Sequence, residues 1–94
     1  MITEQYLEKI LVILPNIREA CVIAASKEDE DYRFHAFITL ADYNPEMAYA
    51  IQTEVMELLE GLKVRVEVLP ELPKSALGRI SRDALRSLCA EVSI

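Results

Sequence analysis

Phe34-His35-Ala36-Phe37-Ile38-Thr39-Leu40 is a run in which the two-residue period of a strand puts Phe34, Ala36, Ile38 and Leu40 on one face. His35, Phe37 and Thr39 then share the other. Upstream, Arg18 to Ala25 reads as a second strand, with Val22 and Ile23 on opposite faces, so both faces of the sheet are partly covered. Between them lies Lys27-Glu28-Asp29-Glu30-Asp31. Five consecutive charges make a solvated turn and not a core element, which joins the two strands as a β-hairpin.

The flanks supply the helices. Thr3 to Leu14 reads as a helix, with Thr3 as N-cap and Tyr6, Leu7, Ile10, Leu11 and Leu14 at helical spacing until Pro15-Asn16. Downstream, Asn44-Pro45-Glu46 is a helix start: Asn caps, Pro suits the first turn and Glu suits the dipole. Ile51, Val55, Leu58, Leu59 and Leu62 form its apolar stripe, and Gly61 stops it. Val64, Val66 and Val68 alternate with Arg65 and Glu67 as a third strand with one wetter face. A loop of residues 70–80 follows, and Ser81 caps a last helix with Leu85, Leu88 and Val92 on one face. The fold class is therefore α+β: a small three-stranded sheet, the β-hairpin plus the third strand, with helices packed against it.

Composition narrows the function. Ninety-four residues make one domain. A net charge of −6 and a pI near 4.7 argue against nucleic acid and against anionic membrane surfaces. Cys21 and Cys89 lack metal-ligand or redox spacing and read as buried, reduced filler, so no metal is expected. No signal peptide and no membrane-spanning run is visible, which makes the cytoplasm the default. With Gly61 and Gly78 as the only glycines there is no glycine-rich phosphate loop. His35, the single histidine, has no acid–nucleophile pair to work with.

The loop after the third strand carries the functional signal. Glu71-Leu72-Pro73-Lys74-Ser75-Ala76-Leu77-Gly78-Arg79-Ile80-Ser81-Arg82 resembles the closing motif of the AMP-forming ligase superfamily. That superfamily comprises acyl-CoA synthetases, aryl-CoA ligases and peptide-synthetase adenylation domains. Its motif runs proline, a few small polar residues, glycine, lysine, an aliphatic residue, a variable one and arginine. Here it is Pro73, residues 74–77, Gly78, Arg79, Ile80, Ser81 and Arg82. Residues 6–22 and 27–40 resemble the family's helix, first strand, acidic hairpin and second strand in the same order.

The resemblance implies that residues 1–94 are a single C-terminal lid domain, about the last fifth of a typical member. The large N-terminal ATP- and acid-binding domain, and the hinge before the lid, would be missing. It implies a lid or small subunit of an AMP-forming acid–thiol ligase that closes over a separate large domain and is inactive alone. No cofactor would be bound by this chain itself. ATP with Mg and a coenzyme A or pantetheine thiol would serve the complete enzyme, with the large domain, and in some members a carrier protein, as partners. The motif cation is Arg79, with Lys74, Ser75 and Gly78 forming the substrate and phosphate loop. Arg79 departs from the family's lysine. A guanidinium is larger, planar and forked, so adenylation is weakened by about 2–4 kcal/mol on the scale of one lost oxyanion donor. Three readings stay open: a catalytic lid, a non-catalytic interaction or regulatory module derived from that lid, and an unrelated α+β binding or dimerisation domain. Arg79 itself reads as a substituted catalytic cation or as a surface arginine, Lys74 as a phosphate contact or a solvated residue, and Arg82 as structural.

Overall fold

The computed structural model of the protein describes residues 2–25 and 30–92, with side chains as far as residue 88. Its elements are α1 (Glu4–Val12), β1 (Ile17–Ala24), β2 (Phe34–Leu40), α2 (Pro45–Leu58), β3 (Val64–Val68) and α3 (Arg82–Val92). The three strands form one sheet in the order β1-β2-β3. β1 and β2 are antiparallel, as the hairpin reading requires; β3 lies parallel to β2 on its other side. A parallel neighbour needs a crossover, and α2 provides it.

The local signals work as the residues dictate. The Thr3 hydroxyl accepts a hydrogen bond from the Tyr6 amide at 3.1 Å, and the Asn44 side-chain oxygen accepts one from the Met47 amide at 2.8 Å. Gly61 adopts φ 91° where the chain leaves α2, a conformation costly for any residue with a Cβ. The Ser81 hydroxyl accepts from the Ala84 amide at 3.3 Å at the start of α3.

Strand alternation divides the interior in two. On one face, Val22, Ala36, Ile38, Leu40, Val64 and Val66 pack with Leu7 and Leu11 of α1 and Ala48, Ile51 and Val55 of α2. On the other, Cys21, Ile23 and Phe37 meet Leu72 from the loop after β3 and Leu85 from α3. A register irregularity between Ile17 and Glu19 makes this division possible. With Arg18 as an extra residue, Ile17 stays with the α1/α2 core while Glu19, Cys21 and Ile23 turn to the α3 side.

Three expectations are corrected. Tyr6 lies at the outer margin of the α1 stripe and is exposed, and Leu58 does the same on α2, whereas Leu59 one residue on is buried. A helix face about 100° wide is narrower than either apolar set. Leu88 of α3 is only partly covered, and Leu85 is the last α3 residue of that core among the described side chains. The Val92 and Cys89 side chains lie outside the described part of the structure, as does most of the charged turn, although Glu30 and Asp31 are exposed.

Candidate functional site

Residues 74–80 fold into a miniature hairpin standing off the α3 side of the sheet. Lys74 and Ile80 form an antiparallel bridge at its base. The Ser75 amide donates to the Arg79 carbonyl at 2.7 Å, the Gly78 amide donates to the Ser75 carbonyl at 2.9 Å, and the Leu77 amide reaches Ser75 Oγ at 3.3 Å. Gly78 has φ 80°, and a Cβ there would meet nothing within 4 Å. Glycine is therefore required by backbone conformation and not by close approach. This is a three-residue hairpin loop whose last residue is left-handed, the arrangement in which glycine sets both turn and twist. Ser75 contributes to the turn itself, through its amide, carbonyl and hydroxyl.

The feet of the hairpin are held down. The Lys74 ammonium pairs with the Glu19 carboxylate, which also accepts from Thr39 Oγ1 at 3.5 Å. At the other foot the Ser81 amide donates to the Pro73 carbonyl at 2.8 Å. Next to it, Arg82 Nη2 donates to Glu8 Oε1 and Arg82 Nη1 to the Val22 carbonyl, both at 2.9 Å. Glu8 Oε1 in turn accepts from the Val22 amide at 2.9 Å. β1 is an edge strand, so Val22 would otherwise offer an unpaired amide and carbonyl. The Glu8–Arg82 pair occupies both and ties α1, β1 and α3 together. The hydrogen bond to Glu8 raises the Arg82 pKa further above its already high ordinary value, so the guanidinium is a permanent charge.

The tip is different. Leu77 is 83% exposed. Arg79 is exposed, and its guanidinium makes no hydrogen bond or ion pair with any described residue. The structure thus separates the sequence-singled residues by role. Arg79 is presented, Ser75 and Gly78 shape the turn that presents it, and Lys74 and Arg82 are engaged in anchoring it. His35 is buried on β2 beside the Tyr32 ring, with centroids 6.3 Å apart, away from the hairpin. Among the described residues no group of three potential metal ligands exists, and no helix is long and apolar enough to cross a membrane. Sequence reasoning missed Glu8 and Glu19. Glu8 follows Glu4 by one helical turn beside the buried Leu7 and Leu11, a carboxylate at the edge of a core, and that was its one available signal. The Cys21 thiol is pushed above its ordinary pKa by burial, which keeps it protonated and inert.

No protein-family model matches the chain. An acetyl-coenzyme A synthetase from Rubrobacter xylanophilus is 33% identical over 86 residues, covering 86% of this chain and 13% of the relative. An acyl-CoA synthetase from Brucella canis superposes with a TM-score of 0.67 and 26% identity over 99% of this chain and 18% of its own. An anthranilate CoA ligase, in complex with anthranoyl-AMP, gives a TM-score of 0.68 and 26% identity over 98% of this chain and 18% of its own. The chain thus spans less than a fifth of the length of each of these proteins.

Proposed function

We propose, from the premise that this chain belongs to the acyl-CoA and aryl-CoA ligase superfamily as its small C-terminal domain, that it is the lid of an AMP-forming acid–thiol ligase. It closes over a separate large domain that holds ATP, magnesium and the acid. One observation carries this reading: the Arg79 guanidinium, exposed and without a partner among the described residues, stands beside the tip of a hairpin whose two feet are locked to the sheet. A cation brought in this way to a phosphate need not reorganise when charge develops, which is the condition under which fixed charge lowers a barrier most. Closure also excludes water and strengthens the same interaction.

The chemistry assigned to this chain is narrow. Arg79 meets a phosphate or carboxylate oxygen with two N–H donors, where a lysine would offer a compact point charge. Lys74 and Arg82 hold the loop and do not touch substrate. Residues 1–94 act as one lid unit in the cytoplasm, where ATP is available, and the thiol acceptor is coenzyme A or a pantetheine arm, including one on a carrier protein. The test is reconstitution: a tagged pull-down identifies the large adenylate-forming domain, and ligase activity is measured with and without this chain. Activity that rises to saturation with added lid supports the proposal, and unchanged activity at saturating lid overturns it.

The departure at Arg79 favours a second reading, a docking module without chemistry. It predicts that neither Arg79→Ala nor Arg79→Lys changes any reaction rate in the reconstituted pair. A gain for Arg79→Lys alone rules it out.

A further inference from the structure

The face opposite the hairpin holds a feature that the lid reading leaves unused. Leu14, Pro15 and Ile17, at the turn between α1 and β1, form one wall of a groove of about 470 Å³. Ile51, Val55 and Leu58 of α2 form the other, at positions one helical turn apart. Its floor is the buried core, and its wall is apolar and open at Leu58, which is 58% exposed. Glu54 and Glu57 line the same groove. Glu57 sits in the last turn of α2 and Glu54 just before it; that last turn contains no basic residue, and Glu60 follows the C-cap Leu59. Carboxylates at a helix C-terminus oppose the macrodipole, so these charges destabilise the isolated domain. An arrangement that combines an apolar floor with unfavourably placed acids is complementary to one kind of ligand.

We infer that this groove docks a short amphipathic basic helix of a partner protein. The partner's apolar side chains fill the space over Val55 and its lysines or arginines meet Glu54 and Glu57. The spacing of Ile51, Val55 and Leu58 suits anchors of a helix laid into a groove. The charge pattern selects a basic segment, and a second copy of this chain, with its net charge of −6, is the poorer match. The groove lies on the α1/α2 side and the hairpin on the α3 side, so both can be engaged at once. The inference does not depend on ligase activity.

The test is NMR titration of the labelled chain with a synthetic leucine/lysine amphipathic helix. Two control peptides accompany it, one with glutamate for lysine and one with serine for leucine. The account expects chemical-shift changes confined to residues 14–17 and 51–58, and an affinity that falls with salt. Both controls should bind at least about tenfold more weakly. The double variant Glu54→Lys/Glu57→Lys should lose binding by a similar factor while its Tm rises by a few degrees, because the new charges suit the helix end. Equal binding of either control, shifts centred on the hairpin, or unchanged affinity of the double variant would each overturn the inference. So would a fall in Tm, which would make the two carboxylates structural.

Discussion

The two faces of the sheet are built to different standards. The α1/α2 face buries thirteen described core residues drawn from two helices and all three strands. The α3 face buries five among the described residues, and two of those, Leu72 and Leu85, come from the segments on either side of the hairpin. The broad face holds the domain together. The thin face exists to position a loop, and it does so with directed polar contacts more than with apolar area. Hydrophobic burial is non-directional, whereas the Glu8–Arg82–Val22 network and the Lys74–Glu19 pair fix where a backbone must go.

The sharpest way to break this contrast is to empty each face in turn. Leu11→Ala should cost about 4 kcal/mol in denaturant unfolding, because α1 cannot collapse onto an already crowded sheet. Leu85→Ala, where α3 can settle into the gap, should cost about 2 kcal/mol. Its hydrogen-exchange signature should differ too, with amides of residues 74–86 losing protection before those of α1 and α2. Equal costs with uniform loss of protection would remove the distinction between the faces.

The anchors should give smaller effects. Arg82→Ala removes two charge-assisted hydrogen bonds and leaves Glu8 with only the Val22 amide as partner. With the Arg82 side chain 41% exposed, solvent screening holds the cost to about 1–2 kcal/mol. Lys74→Ala breaks a pair that is likewise open to water and should cost at most about 1 kcal/mol. In a reconstituted ligase both variants should nevertheless slow adenylation more than their stability loss explains, and Lys74→Arg should restore the rate.

The smallest effect concerns Cys21. Burial raises its thiol pKa in the folded state, so the stabilisation it contributes is complete below the unfolded thiol pKa and is lost as pH rises through the folded value. Native protein should therefore resist alkylation at Cys21 at pH 8 and label rapidly once unfolded. Peptide mapping distinguishes it from Cys89. Rapid labelling of the native thiol would mean that the thin face opens readily.

Much of the fold could be read from local chemistry. The alternation of residues 34–40, the caps at Thr3, Asn44 and Ser81, and the glycines at 61 and 78 each act over a few positions and each behaved as its physics requires. The motif loop and Arg79 were visible as well, because order and spacing carried the resemblance. What stayed hidden is non-local or a matter of degree. Arg82 and Glu8 are 74 positions apart, so neither reveals the other. The extra residue at Arg18 flips the face on which Glu19 lies, yet period counting cannot see a bulge. Tyr6 and Leu58 have the right spacing but sit beyond the width that neighbouring elements cover.

The central claim is that an anchored hairpin presents Arg79 to a phosphate. The most direct test measures acid-dependent pyrophosphate exchange by the large domain supplied with wild-type, Arg79→Ala or Arg79→Lys lid. The account predicts that Arg79→Ala lowers the rate by about tenfold or more with no change in Tm, and that Arg79→Lys exceeds wild type. Equal rates for all three lids would contradict it.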